Sequence, residues 1–138
     1  MGNPTDAESR LTFRVRYYET DQMGYVHHAN FVQYFEMGRT EWLRSRGDTY
    51  RNWEEHGVFL VVAKLACRYR RPACYDDELT LITRLTKVGV AKMDHTYELL
   101  RGSELIATGE TTLACVDRDG RMQAIPQEFL DRTDTKIE

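Results

Sequence analysis

The sequence predicts an α+β domain, one curved antiparallel sheet of five strands wrapped around one long helix. Three observations carry this. Between Asn30 and Arg46, Phe31, Phe35, Gly38, Trp42 and Ser45 recur at steps of three and four, with Tyr34 and Met37 beside them. That is the spacing of one buried helical face. From residue 58 onward the apolar period changes to two, and strand-like runs follow one another across short turns. Finally, the longest run outreaches the helix. Residues 58–71 extended cover roughly 46 Å at ~3.3 Å per residue. Helical residues 30–46 cover roughly 25 Å at ~1.5 Å per residue. Strands of that length bury the helix face only by curling around it. At 138 residues the chain holds one core and is too short for two ordinary domains.

The elements follow in order. Residues 1–9 read as a flexible tail ahead of one domain, 10–138, with no apolar core that would make them an export signal. In residues 11–18, Leu11, Phe13, Val15 and Tyr17 alternate with Thr12, Arg14, Arg16 and Tyr18, the pattern of a half-buried strand. A polar turn follows, and then the helix, with Asn30 and Gln33 spaced as a capping box. Gly47 closes the helix. Asp48 is placed to cap a short second helix that ends at Gly57. Strands are expected at 58–71, closed by Pro72, and at 78–88, 92–101 and 104–117, with turns at Gly89-Val90 and Gly102-Ser103. Asp119-Gly120 is a hairpin signal, so residues 121–125 should pair back briefly. Pro126 opens a last helical turn. The short connections imply antiparallel neighbours, and one sheet face stays uncovered, which points to self-association.

Composition excludes several functions. Hydrophobic residues make up 41% and charged residues 30%, as in a globular protein, and the net charge is -3. No large positive excess exists to neutralise a nucleic-acid backbone. No apolar run approaches the length of a membrane span. The three cysteines, Cys67, Cys74 and Cys115, are odd in number and lack CxxC spacing, which fits reduced thiols in a cytoplasm. The four histidines form no HxxxH or HExxH pair, so no metal site is expected.

Chemistry concentrates between Tyr17 and the helix start. Asp21 lies in the turn with Met23, Tyr25 and Val26 around it, apolar neighbours that desolvate a carboxylate. Gly24 allows close approach of the backbone to a ligand. The helix start near His28 and Ala29 should offer unpaired N–H groups to a developing oxyanion. His28 is placed to hydrogen-bond a substrate carbonyl or an attacking water. Tyr17 either donates to Asp21 or lines the substrate pocket. Glu19 reads as a solvated turn residue, and His27 receives no role. Basic residues gather at two strand ends, Arg68, Arg70 and Arg71 before Pro72, and Lys87 with Lys92 around Gly89. Both clusters are candidates for nucleotide phosphates. No GxSxG serine or glycine-rich phosphate loop is present.

The string from Val15 to Leu43, with Tyr17, Thr20-Asp21, Gly24, Val26, His28, Asn30, Phe31, Tyr34, Glu36 and Arg39-Thr40-Glu41, resembles the hot-dog fold acyl-CoA thioesterases of the 4-hydroxybenzoyl-CoA thioesterase family. Within it, the string is most similar to the Tol-Pal-associated branch. The stretches TRLTKVG and ATGETTLACVD resemble the family more loosely. The resemblance implies a hydrolase that splits acyl-CoA to a free acid and CoA without metal or cofactor. It places the catalytic aspartate on Asp21, as nucleophile or general base, the motif histidine on His28 and the preceding tyrosine on Tyr17. The oxyanion donor falls near His28 and Ala29. Gly24, Ala29, Lys87, Lys92 and Arg71 are the expected substrate contacts. The family assembles as homodimers and often homotetramers with the site at the subunit interface. Two rivals stand beside this reading. An acyl-thioester hydratase resembles a tighter Asp-to-His spacing than Asp21 to His28. A noncatalytic acyl-CoA-binding domain has no need of Asp21.

Overall fold

The structure, a computed structural model, describes residues 8–132. Strand β1 (Glu8–Arg14) leads into a loop and then the long helix α1 (His28–Ser45). A short helix α2 (Tyr50–Glu55) follows, then β2 (Phe59–Tyr69), β3 (Glu78–Val88), β4 (Lys92–Arg101), β5 (Glu104–Val116) and a final α3 (Gln127–Arg132). The five strands form one sheet in the order β1-β3-β4-β5-β2, every pair antiparallel. This is the hot-dog arrangement expected from the sequence. Residues 1–7 of the expected tail lie outside the described residues; Glu8 and Ser9 are already strand, paired with Arg84 and Thr83.

Helix α1 lies across β1, β3 and β4. Its buried face is Phe31, Tyr34, Phe35, Gly38, Trp42 and Leu43. Ser45 is exposed instead, its hydroxyl turned back on the Trp42 carbonyl at 2.6 Å. Two glycines set how closely the layers approach. A Cβ on Gly38 would lie 2.3 Å from Thr83 Oγ1, and one on Gly109 2.3 Å from the Phe35 ring. Phe35 then stacks on Tyr97 with ring centroids 4.5 Å apart. A second cluster, built from Trp42, Trp53, Leu113, Phe129 and Leu130, closes the other end. Register shifts at Val62/Lys64, Leu85/Lys87 and Leu99/Leu100 supply the curl around the helix.

Four local expectations change. The helix begins at His28, and its cap is His27, whose ring nitrogen accepts from the Ala29 N–H at 3.1 Å. Asn30 instead donates from its side chain to the Glu19 carbonyl at 2.7 Å. Thr49, not Asp48, caps α2. Asp48 is buried and accepts from the Trp53 indole N–H at 2.8 Å, a more demanding partner than a helix end. The first strand stops at Arg14, because Glu19 takes the Arg16 N–H at 2.7 Å and bends residues 17–19 into one 3₁₀ turn. The brief return strand reduces to one bridge, Val116 to Met122.

The uncovered sheet face is polar. Arg84 pairs with Glu98 and Glu8, Thr12 with Thr80, and Thr112 with Asp94. Exposed apolar side chains gather instead on the edge strand β2, where Val61, Val62, Leu65 and Tyr69 are each more than two-fifths exposed.

Candidate active site

The loop from Val15 to His27 is pinned at both ends. Val15 N–H donates to Asp77 O at 2.9 Å, and Val26 N–H to Ala73 O at 2.8 Å. Within it Asp21 forms a tight Asx turn. Its Oδ1 accepts from the N–H groups of Met23 (2.8 Å) and Tyr25 (3.2 Å). Its own N–H donates to Tyr25 O at 2.7 Å. Gly24, at φ +82°, makes this reversal without a Cβ clash. The carboxylate is therefore held by one oxygen, while the other has no protein partner among the described residues. Asp21 and Met23 are exposed and only Val26 is buried, so the expected apolar surround is not supplied by this chain alone.

The helix start beside it is only partly open. The oxyanion donor is expected near His28 and Ala29, but the Ala29 N–H is occupied by the His27 ring. Asn30 N–H donates to His27 O at 2.9 Å. The His28 N–H has no partner among the described residues, so it is the free donor of the first turn. The His28 ring is exposed and stacks on His27 with centroids 4.2 Å apart. The His28 carbonyl accepts from the Tyr69 hydroxyl at 3.0 Å, which ties the helix start to β2.

A cleft of about 300 Å³ opens here, lined by Tyr25, Val26, His28, Phe31, Tyr69, Arg70, Arg71 and Pro72. Aromatic walls and an arginine rim suit a thin apolar chain ending in anionic groups. Arg71 is also bonded to Glu104 at 3.2 Å. Lys87 and Lys92 stand elsewhere. They line a cleft of about 520 Å³ with Lys64, Asp94 and Thr112. Lys87 lies nine residues along β3 from Glu78, the end next to the Asp21 loop. That is roughly 30 Å. Tyr17 makes no hydrogen bond to Asp21; its ring is 77% exposed and meets Tyr75 edge-on at 5.6 Å.

Glu19, expected to be a solvated turn residue, is only 4% exposed and holds the site together. Its Oε1 accepts from the Arg16 N–H (2.7 Å) and the Tyr34 hydroxyl (3.1 Å). Its carbonyl accepts from the His27 N–H (2.9 Å) and the Asn30 side chain (2.7 Å). Burial, and then the Glu19 charge, push the Tyr34 hydroxyl well above its ordinary pKa, so it stays a donor. The signal was available: a buried phenol on the helix face needs an acceptor, and Glu19 stands three residues after the backbone N–H it caps. Asp77 anchors the neighbouring β2–β3 connection. Burial would raise its pKa, but the Cys74 N–H and Arg101 outweigh this and hold it below the ordinary value.

Residues 15–133 match the thioesterase-like superfamily. The chain belongs to this superfamily. Acyl-CoA thioesterase YbgC of Haemophilus influenzae is 36% identical over 118 residues, covering 83% of this chain and 86% of its own. Long-chain acyl-CoA thioesterase FadM of Escherichia coli is 28% identical over 108 residues, covering 75% of this chain and 80% of its own. Among solved structures, the DHNA-CoA thioesterase of Staphylococcus aureus superposes with a TM-score of 0.86 at 27% identity, covering 92% of this chain and 87% of that one.

Proposed function

We propose that the protein hydrolyses acyl-CoA thioesters, with Asp21 driving the attack and the His28 N–H receiving the charge on the carbonyl oxygen. The observation that carries this is the pairing of a carboxylate fixed by one oxygen and free at the other with a helix start whose first amide is unpaired. Superfamily membership and the relatives named for acyl-CoA hydrolysis support the reaction class. As general base, Asp21 takes a proton from water. The water oxygen bonds to the thioester carbon, and collapse of the tetrahedral intermediate expels CoA thiolate, which is then protonated. As nucleophile, Asp21 forms an acyl anhydride that water opens. The His28 ring assists either route, and no step calls on a metal or cofactor. The motif from Thr20 to Phe31 is the support for the finer placement, in the 4-hydroxybenzoyl-CoA branch near the Tol-Pal-associated enzymes.

The site reads as complete only in a homodimer. β2 is an edge strand with exposed backbone and apolar side chains, the surface a second copy pairs with most readily. Antiparallel pairing of β2 with itself brings the far end of one sheet beside the Asp21 end of the other. Lys87 and Lys92, with Lys64, then serve the site of the second copy, while Arg70 and Arg71 serve their own. A homotetramer would use the polar outer face. Three free thiols suit a cytoplasmic enzyme.

The deciding experiment is turnover of the best acyl-CoA by wild type and by Asp21→Asn, with binding measured separately. Loss of a general base lowers the rate by about 10²–10⁴. Full activity in the variant removes Asp21 from the chemistry. Tight binding without hydrolysis by wild type across a broad acyl-CoA panel replaces the enzyme with a binding protein.

A further inference from the structure

Two segments rim Asp21, its own loop and the β2–β3 connection at residues 70–77. Besides the bonds to Ala73 and Asp77 already described, the Asp76 N–H donates to Val15 O at 3.0 Å, and Tyr25 pairs with Cys74 as an isolated bridge. Asp77 Oδ2 fixes the connection from inside, accepting from the Cys74 N–H at 2.8 Å and from Arg101 at 2.7 Å. Asp76 sits at φ +69°, the one non-glycine residue with positive φ among the described residues. Asp tolerates this conformation at some cost. It reverses the chain directly after Tyr75.

This framework presents one side chain. Tyr75 stands edge-on to Tyr17, with rings 5.6 Å apart and 78° between their planes. Neither ring enters the core; Tyr75 is 56% exposed and Tyr17 77%. An edge-to-face contact in water adds little to folding, yet a ladder of backbone bonds and a strained residue hold it in place. Such a pair leaves the Tyr17 ring largely exposed on the same loop that carries Asp21. A bulky or planar acyl group covers that ring on binding, and the free energy gained grows with the apolar area covered. A two-carbon acyl group is too short to use it.

We propose that Tyr75 is a positioning residue for Tyr17, and that the two rings form the wall that selects bulky acyl groups over small ones. This rests on the thioesterase reading and deepens it. The test compares wild type, Tyr75→Ala, Tyr75→Leu and Tyr75→Phe on acetyl-CoA, a long saturated acyl-CoA and benzoyl-CoA, with kcat and KM resolved. The Ala and Leu variants should lose about two- to tenfold in kcat/KM on the two bulky substrates, mainly through KM. Acetyl-CoA turnover should not follow. Tyr75→Phe should restore the wild-type profile, because the contact uses the ring and not the hydroxyl. In a Tyr17→Ala background, Tyr75→Ala should cost nothing more. Equal loss on all three substrates, an unchanged profile, or additive loss in the double variant each overturns the proposal. If wild type hydrolyses none of the three, the broad acyl-CoA panel decides the thioesterase reading, and the same comparison made as Kd for the acyl-CoAs decides the role of Tyr75.

Discussion

Replacing Glu19 tests how the site is held. Glu19→Ala removes two hydrogen bonds to a charged acceptor and leaves Tyr34, a residue 1% exposed, without an acceptor for its hydroxyl. Each such bond is worth about 1.5–3 kcal/mol, the orphaned hydroxyl being part of that loss. The expected destabilisation is therefore about 3–6 kcal/mol, a large fraction of a domain's typical ~5–15 kcal/mol. At this chain length that lowers the melting temperature by roughly 10–20 °C. Glu19→Gln keeps an acceptor oxygen and should cost less than half as much. The carbonyl of residue 19 still holds His27 and Asn30, so the helix start survives while the Asp21 turn loosens. Activity should thus fall further than unfolding explains at the assay temperature. Thermal unfolding and kcat/KM for Glu19→Ala, Tyr34→Phe and the double variant give the measurement. The two changes should be strongly non-additive, since both delete one bond. A Glu19→Ala protein that melts with wild type, or a double variant whose losses simply add, refutes the reasoning.

The remaining expectations concern charge, assembly and pH. Neutralising Arg70, Arg71, Lys87 and Lys92 together should raise KM and leave kcat nearly intact, because phosphate contacts are made equally in ground and transition states; an unchanged KM means the nucleotide lies elsewhere. Val62→Lys with Leu65→Lys should convert a dimer to a folded monomer with little activity, read by sedimentation and circular dichroism, and a wild-type monomer at micromolar concentration defeats the interface. His95 is buried with neither ring nitrogen hydrogen-bonded among the described residues. Burial first, and then Arg39, depress its pKa from 6.5 to about 3, against an opposing pull from Asp94. Below 6.5 the unfolded chain takes up a proton that the folded chain refuses, so this histidine costs stability as pH falls from 6.5 toward 3, at up to about 1.4 kcal/mol per pH unit. His95→Phe, packed between Trp42 and Tyr97, should flatten the melting temperature over that range, and an unaltered pH profile would show that His95 is not the group responsible.

Periodicity made the sheet and helix legible, and turn chemistry did not make the site equally so. Strands β3 and β4 stand where the period-two pattern places them, and Gly47 closes α1 at φ +86°. The site loop misled because its residues choose among equivalent short-range partners. His27 competes with Asn30 for the cap, and Thr49 with Asp48. In each pair the side chain left out has another partner, the Glu19 carbonyl eleven residues away for Asn30 and the Trp53 indole on the buried face of α2 for Asp48. Cap spacing shows the helix-end offer and not the competing one. β2 shows the same limit. Its run reads as a strand, yet its period does not tell that it lies at the sheet edge with most of its side chains exposed.

Two carboxylates lie two residues apart in this loop, and their opposite surroundings divide the work. Glu19 is buried, bonded through both side chain and backbone, and tied to the helix face through Tyr34. It has little freedom to react and sets where the loop lies. Asp21 is exposed, with one oxygen spent on two amides and the other unspent. An ionised carboxylate in water is a weak base and a weak nucleophile, so Asp21 gains power only when something excludes solvent from it. A bound acyl group and the second copy proposed at β2 are the two bodies that could do so. Hydrolysis should therefore depend on protein concentration near the dimer dissociation constant even at saturating substrate. Specific activity that stays constant on dilution through that constant would show that one chain suffices, and that Asp21 needs no cover beyond its substrate.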